Sequence, residues 1–495
     1  MSDVCLILEG TYPFIRGGVS SWVHRLIKSL PDLNFTLLAL SPSSKKREDY
    51  KYDIPGNVKN FIEVFLQDYD LPMASKMAFK KKKAFWTLYK KYNEADLNMK
   101  SRYFSAIVKA LGVDGERLIA PRDLLYSKES WNVIKNQYLE TAQDNSFIDF
   151  FWTWRFIHMP ILRMLNIEIP EAKVYHSLCT GYAGLVGIAA KIKTGRPLIL
   201  TEHGIYTKER QIEISRADWI YSQEDERLTA KRTPGVFKQM WIDNFITLGK
   251  LCYDFADEIL TIYGGNKELE VAFGAASEKI RVIPNGVDVD DFSNLPDLSL
   301  YKKNRLRVAL VGRVVPIKDI KTFIKACKIV TEKIKDVDFW VIGPTEEDKE
   351  YFEECMDLVH LLGLTSFTRF TGRVNVKEYY PAIDVMVLTS ISEGQPLTIL
   401  EGMCGGIAQV ASDVGACSEL LNGFSDEDKK LGPSGIITAI GKPYETAQAI
   451  MKILKNHQLR NEMGQVGRKR ASMYYDQRNV VHEYRSIYEK YKEIK

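Results

Sequence analysis

Short apolar runs of strand type alternate with helical patterns along most of the chain, and this alternation constrains the fold more than any other feature. Most of the runs end in polar or glycine residues, and helical segments with recurring apolar positions lie between them. This alternation is typical of βαβ units, which build parallel sheets with helices on both faces. The sequence therefore predicts an α/β protein with Rossmann-like parallel sheets.

The alternation forms two separate series, which predicts two domains. A chain of 495 residues is also longer than the size at which a single core stops growing. The first series starts with VCLILEG and ends near KIRVIPNGVD, and the second starts with RLRVALVG. We predict a first domain over 1–290, a linker over 291–304, a second domain over 305–475 and a terminal helix over 476–495.

Two regions lie outside the regular alternation. Residues 43–170 are mostly helical in pattern and rich in lysine and aromatic residues, which predicts a helical insertion in the first domain. The lysines at 80–83 fit either a solvated helix face or a surface that docks to an anionic membrane or an acidic partner. The terminal helix carries an apolar stripe that requires a packing partner. The stripe consists of Val481, Tyr484, Ile487, Tyr488 and Tyr491.

Charge and cysteine content exclude several classes of protein. The net charge is only +4 and basic residues are interspersed with acids, which argues against nucleic acid as a partner. The seven cysteines are scattered without a CxxC pair, so we expect neither a disulfide framework nor a structural metal site. The start MSDVCLILEG is typical of a buried strand rather than a signal peptide. We therefore expect a cytoplasmic protein, peripheral at a membrane only through partners.

Residues at the strand ends of the first series are candidates for chemistry, because ligands of open α/β sheets collect there. RGGVSSWV places Gly17 and Gly18 before a helix, where their amides could approach an anion or simply form a turn. VYHSLCTGYAG and LTEHGIYTKER place His176, Glu202 and His203 at later strand ends, where they could hold a sugar or play a structural role. Their spacing matches no metal site.

In the second series, VGRVVPIKD places Arg313 just after a strand and Lys318 five residues later. Two cations at the end of a sheet suit a diphosphate, whose charge must be neutralised when a glycosyl bond breaks. A surface salt bridge is the alternative interpretation.

The segment SISEGQPLTILEGMCGG places Glu393 in a loop and Glu401 inside the following helix. The amides of Leu397 and Thr398 would direct the positive end of that helix toward a ligand. One glutamate at a helix start is a common capping device. Two of them, with a glycine and a proline between, are better explained by a ligand site.

EGQPLTILE, together with IPNGVD, Arg313 and Lys318 in the same order, resembles the Glu-x7-Glu motif of family 4 glycosyltransferases. The resemblance implies a GT-B fold with two domains facing a cleft, a retaining mechanism, and donor binding without metal or other cofactor. It implies a nucleoside-diphosphate sugar as donor, expected to be a UDP-hexose such as UDP-glucose or UDP-N-acetylhexosamine. It also implies that the terminal helix returns to the first domain.

The insertion, TEHGIYTKERQIEI and HSLCTGYAG look most like the cytosolic glycosyltransferase of Pel-type exopolysaccharide synthesis. That narrower resemblance implies a growing polysaccharide as acceptor and docking to an inner-membrane synthase complex. A nucleotide-binding regulatory subunit of such a synthase, or a GT-B-like epimerase or phosphorylase, are the alternatives, because fold does not fix function.

The resemblance also assigns roles to residues. Many relatives carry His-x-His where this chain has Leu178 after His176, so whether His176 or His203 faces the sugar stays open. The expected roles are catalysis for Glu393, His203, Glu202 and His176; diphosphate binding for Arg313, Lys318, Gly17, Gly18, Leu397 and Thr398; ribose binding for Glu401; and base binding for Arg373 and Val374.

Overall fold

The computed structural model describes residues 1–10, 12–44, 49–67, 79–112, 119, 121–217, 220, 235–292 and 305–494. The chain forms two compact units. The first contains Met1–Thr261, Asn266–Arg281 and Tyr484–Lys495, and the second contains Ile262–Gly265 and Val282–Glu483. The predicted linker at 291–304 lies outside the described residues from 293 onward.

The first unit is built on a seven-stranded sheet with the order β3-β2-β1-β4-β5-β6-β7. The central strands are almost wholly buried, as expected for strands covered by helices on both faces. Its strands are β1 Ser2–Glu9, β2 Phe35–Ser41, β3 Val58–Phe65, β4 Ala172–Ser177, β5 Leu198–Glu202, β6 Glu258–Thr261 and β7 Ile280–Val282.

Helices surround this sheet. They are α1 Gly18–Ser29, α2 Phe79–Glu94, α3 Lys100–Gly112, α4 Pro121–Tyr126, α5 Lys128–Thr141, α6 Phe147–Leu165, α7 Tyr182–Thr194, α8 Tyr206–Arg216, α9 Val236–Phe255 and α10 Gly264–Ala272.

The predicted helical insertion over 43–170 needs a correction at its start. Strand β3 falls inside that range and pairs in parallel with β2 along its whole length. The helical part of the insertion, as described, therefore runs from α2 to α6. Of the lysine run at 80–83, the side chains at 80–82 lie outside the described residues, and Lys83 is exposed.

The second unit has a six-stranded sheet with the order β10-β9-β8-β11-β12-β13. All of its strand pairs are parallel. Its strands are β8 Leu306–Val311, β9 Val337–Ile342, β10 Thr368–Phe370, β11 Val385–Leu388, β12 Ala408–Ser412 and β13 Gly435–Thr438. Its helices are α11 Ile320–Lys333, α12 Lys349–Leu361, α13 Leu397–Cys404, α14 Cys417–Asn422, α15 Asp426–Lys429, α16 Pro443–Lys455, α17 His457–Tyr474 and the start of α18 Gln477–Lys492.

The last part of α18 belongs to the first unit. Tyr484, Ile487 and Tyr488 are at most 1% exposed, and Arg485 forms an ion pair with Asp32 after α1. The predicted apolar stripe is thus buried, except that Val480 is the buried valine and Val481 is only half-buried.

Both sheets follow the same topology: in each, the chain order reverses between the first strand and the fourth. This is the strand order of doubly wound dinucleotide-binding folds, so the predicted fold class of two Rossmann-like parallel sheets is confirmed. Within the part of the chain that the structure describes, no helix combines the length and apolar character needed to span a bilayer.

Candidate active site

The second sheet places two predicted site residues at its topological switch point, which lies between β8 and β11. Ligands of open α/β sheets bind outside the carboxyl ends of the strands at this point. Lys318 ends a short 3-10 helix, Pro316–Lys318, that follows β8. Glu393 lies in the loop between β11 and α13.

Lys318 and Glu393 form an ion pair across this switch point. The Lys318 Nζ lies 2.5 Å from the Glu393 Oε1, and the side chains are only 18% and 14% exposed. A side chain also joins the two loops, because the Thr389 Oγ1 donates to the backbone carbonyls of Lys318 and Asp319 at 3.0 and 2.9 Å. The sequence therefore brings together a cation and a carboxylate that are 75 residues apart.

Two glycines let neighbouring loops approach this pair. Gly343, just after β9, has φ +148°, and a Cβ there would lie 2.1 Å from the carbonyl oxygen of Gly312. Gly415, after β12, has φ +52°, and its Cβ would lie 2.3 Å from the Glu393 carbonyl oxygen. Any side chain at either position would push apart the loops that surround Lys318 and Glu393. Neither glycine was singled out from the sequence.

Helix α13 begins at Leu397, with Pro396 as its N-cap residue. The first amides of a helix have no intrahelical acceptor, so the N–H groups of Leu397 and Thr398 are available to a ligand, and their contact with a diphosphate stays a prediction. Glu401 lies one turn further, and its Oε2 accepts a 2.5 Å hydrogen bond from the Tyr380 hydroxyl. Burial and the Glu401 carboxylate together raise the pKa of Tyr380 well above its usual value. Tyr380 therefore remains a donor and orients this carboxylate.

The two arginines that are predicted to bind the donor each form an ion pair with an exposed glutamate. The Arg313 Nη1 donates to Glu347 at 2.8 Å, and the Arg373 Nε and Nη2 donate to Glu346 at 3.0 and 2.9 Å. Ion pairs this exposed contribute little free energy, so an anionic ligand can displace the acids at small cost. Val374 packs against the cluster of buried side chains that includes Tyr380.

The first sheet gathers polar groups at its own strand ends. Glu9 ends β1, and its two oxygens accept from the Tyr206 hydroxyl at 2.7 Å and the Ala183 amide at 3.0 Å. Glu202 ends β5 and is fully buried, with its Oε2 accepting from the Tyr253 hydroxyl at 2.6 Å. Burial raises the pKa of Glu202 to about 7. Glu9 is not among the predicted residues, although its place within VCLILEG at a strand end is visible in the sequence.

The two predicted histidines have different surroundings. His176 is fully buried, and its ring nitrogens bond at 2.7 Å to the hydroxyls of Tyr488 and Thr201. With both nitrogens occupied, His176 packs α18 onto the sheet, and the geometry does not support its predicted contact with a sugar. His203 packs edge-on against Trp22, with ring centroids 4.7 Å apart. Burial lowers its pKa to about 4, so it is neutral near pH 7.

Gly17 and Gly18 are exposed at the start of α1. A Cβ at either position would meet no atom within 4 Å, so neither glycine is required by packing within the first unit. Their predicted contact with a diphosphate stays a prediction.

All seven cysteines are free thiols, and all but Cys179 are buried. Among the residues that the structure describes, no group of three or more His, Cys, Asp or Glu side chains is arranged to hold a metal ion.

Two family models match the chain. The model described as a domain of unknown function (DUF3492) matches residues 2–278, more than half of the sequence. The model for glycosyl transferases group 1 matches residues 294–470. The chain belongs to the DUF3492 family and carries a glycosyl transferases group 1 domain.

Proteins with similar sequences match part of this DUF3492 protein. It is 25% identical over 255 residues to an uncharacterized glycosyltransferase of Methanocaldococcus jannaschii, covering 49% of this chain and 61% of that protein. It is 24% identical over 330 residues to an MMP alpha-(1->4)-mannosyltransferase of Mycolicibacterium hassiacum, covering 64% of this chain and 70% of that protein. The match thus spans less than two thirds of the archaeal relative.

Solved structures share the fold over nearly the whole chain. Sucrose-phosphate synthase of Thermosynechococcus elongatus superimposes with a TM-score of 0.58 at 15% identity, over 98% of both chains. HepE of Anabaena, in complex with UDP, gives a TM-score of 0.60 at 14% identity, over 98% of this chain and 99% of that one. The two Rossmann-like sheets of the DUF3492 protein are therefore those of the GT-B fold, as the sequence predicts.

Proposed function

We propose that this chain is a retaining glycosyltransferase that moves a sugar from a nucleoside-diphosphate sugar to a growing exopolysaccharide. The observation that carries the proposal is the ion pair of Lys318 and Glu393 at the switch point of the second sheet. This pair lies within the segment that matches the glycosyl transferases group 1 model.

The pair suits the charge that develops in glycosyl transfer. When the bond between the sugar and the diphosphate breaks, negative charge grows on the leaving phosphate. Lys318, Arg313 and the amides of Leu397 and Thr398 would stabilise that charge. Once Lys318 binds phosphate, Glu393 is released to accept hydrogen bonds from the hydroxyls of the transferred sugar.

We propose the remaining donor contacts from the sequence resemblance. Glu401, oriented by Tyr380, would accept hydrogen bonds from the ribose hydroxyls. Arg373 and Val374 would contact the base, with Arg373 leaving the exposed Glu346. Gly17 and Gly18 would donate amides to the diphosphate.

For the retaining route we favour attack from the same face through an oxocarbenium-like transition state. Glu202 is fully buried and both of its oxygens accept hydrogen bonds, which argues against its use as a covalent nucleophile. His203, neutral near pH 7 because burial lowers its pKa to about 4, could hydrogen-bond a sugar hydroxyl. The anomeric configuration of the product, followed by NMR during turnover, tests retention directly.

A UDP-hexose such as UDP-glucose or UDP-N-acetylhexosamine is the first donor to test. HepE, which shares the fold, is described in complex with UDP and with UDP-glucose. The Pel-type acceptor, and docking to an inner-membrane synthase complex, rest on the sequence resemblance and on the helical insertion α2 to α6.

The deciding experiment is a calorimetric screen of nucleotide sugars against the purified chain, followed by product analysis with the donor that binds. Binding of one nucleotide sugar and transfer to a polysaccharide acceptor supports the proposal. Binding without transfer in the presence of membranes would instead indicate a regulatory subunit, and release of an epimerised sugar an epimerase. We further propose that no metal is required, so dialysis against EDTA should leave turnover unchanged.

A further inference from the structure

The helical insertion of the first unit contributes to a large cavity that the proposed transfer does not use. Its volume is about 730 Å³, within the range of small-molecule pockets in proteins. The cavity is lined from α6, the start of α7, α9 and the chain just after β3. All of these segments belong to the first unit.

One face of α6 forms an apolar wall of this cavity. Ile148, Trp152, Phe156 and Pro160 recur every four residues and all line it. The first three are 67%, 49% and 51% exposed, although side chains of this kind are normally buried. Trp152 and Phe156 stack with ring centroids 5.9 Å apart. The wall is therefore a preformed aromatic surface that still faces solvent.

Two further aromatic side chains of the lining, from α9 and α7, are held in place by packing. Trp241 of α9 stacks on Phe245, with ring centroids 6.2 Å apart. Tyr182 of α7 meets the same Phe245 edge-on at 6.1 Å. An apolar group that enters the cavity therefore meets aromatic rings from several elements, and the packing of Trp241 and Tyr182 on Phe245 limits the entropy lost on binding.

Three polar groups in the lining indicate what else the ligand carries. They are Gln67, Asp149 and Thr153, and none of the lining residues within the described part of the chain is a lysine, an arginine or a histidine. The Asp149 carboxylate would repel an anionic head group and would accept hydrogen bonds from hydroxyls. An apolar chain with a neutral, hydroxyl-bearing head matches the aromatic lining and this set of polar groups.

We propose that this cavity binds a neutral amphiphile, with its hydrocarbon chain between Trp152 and Trp241 and its hydroxylated head at Asp149. An alkyl glycoside has this chemistry. The inference goes beyond the proposed transfer and can fail independently of it, because binding in the cavity requires neither donor nor turnover.

The test is a calorimetric titration of the full chain with octyl and decyl glucoside below their critical micelle concentrations. We expect affinity to rise on the order of tenfold or more from octyl to decyl, because each buried methylene contributes about fourfold. Free glucose and decanoate should bind at least tenfold more weakly than decyl glucoside. Equal binding of free glucose, or tighter binding of decanoate, would overturn the proposal.

Trp152→Ala should weaken decyl glucoside binding at least tenfold. Trp131→Ala is the matched control, because Trp131 of α5 is 48% exposed, packs on Phe147 and Phe151 of α6 and does not line the cavity. Equal losses of affinity in the two variants would mean that the ligand binds a general apolar surface, such as one that contacts a membrane. That result would reject the proposal that it binds in the cavity. Asp149→Asn should strengthen the binding of decanoate, because it removes the carboxylate that repels an anionic head group. Circular dichroism spectra that match the wild type confirm that each variant is folded.

Discussion

Each cation predicted to bind the donor is paired with a glutamate in the structure. Lys318 pairs with Glu393, Arg313 with Glu347 and Arg373 with Glu346. The two arginine pairs are exposed and cost little to break, but the Lys318 pair is largely buried. Of the three cations, Lys318 is therefore the one whose free energy changes most when a phosphate takes the place of its glutamate partner.

Lys318→Ala should lower kcat by about a hundredfold to a thousandfold, because it removes one preorganised charge from the leaving diphosphate. Steady-state kinetics with the donor found by calorimetry measures this. Lys321→Ala is the control, since Lys321 pairs with the exposed Glu354 on α12 and should leave kcat unchanged. Near-normal turnover of Lys318→Ala would reject the assigned role.

Glu270 should make the first unit less stable as pH rises. Burial, followed by the nearby charge of Glu202, raises its pKa from the ordinary 4.5 to about 9. The folded state therefore holds a proton that the unfolded state has lost between these two values. In that window stability falls by at most about 1.4 kcal/mol per pH unit.

Thermal unfolding between pH 5 and 8.5 measures this slope. Glu270→Gln keeps the shape without a titrating group, so its melting temperature should fall less with pH than that of the wild type. Glu268→Gln, an exposed change on the same helix, should retain the wild-type slope. Identical slopes in all three proteins would contradict the expectation.

At the scale of elements, the sequence predicts what depends on local pattern. β1 contains the apolar run VCLIL and β8 the run VALV, and α18 has a helical stripe, so each is recognisable alone. β3 is not, because it is an edge strand with polar residues such as Lys59 and Asn60 on exposed positions, and edge strands lack the apolar run of central ones. The helix of Glu401 was predictable, but its donor Tyr380 was not.

Long-range contacts explain most of what the sequence could not show. His176 and Tyr488 are separated by 312 residues. No local pattern therefore indicates that a tyrosine of α18 forms a hydrogen bond with the ring of His176. Strand-end position made His176 a candidate for catalysis. Only the packing of α18 shows that its ring is enclosed.

Tyr488→Phe tests that packing. The change keeps the ring but leaves the buried His176 Nδ1 without the Tyr488 hydroxyl, which should cost about 1–3 kcal/mol of unfolding free energy. Chemical denaturation followed by tryptophan fluorescence measures it. Tyr444→Phe, at a tyrosine that is 65% exposed, should change stability by less than about 0.5 kcal/mol. If Tyr488→Phe leaves the free energy of unfolding unchanged, the hydrogen bond between Tyr488 and His176 contributes nothing to stability.

At the scale of the whole molecule, the chain enters the first unit again after completing the second. Each sheet has its own core, built from separate clusters of buried side chains. Two cores in one chain can unfold separately. The final segment, from Tyr484 onward, then stabilises only the first unit, whereas most of the contacts proposed for the donor, including Lys318 and Glu401, belong to the second.

Deleting residues 484–495 while adding donor separates the two contributions in scanning calorimetry. The deletion removes the buried Tyr484, Ile487 and Tyr488 and should lower one melting transition by on the order of 10 °C. The nucleotide found by calorimetry, at a hundred times its Kd, adds about 2.7 kcal/mol to the unit that binds it and should raise the other transition, with Lys318→Ala abolishing that rise. If the deletion and the nucleotide move the same transition, the chain unfolds as one cooperative unit and the assignment of α18 to the first core alone is wrong.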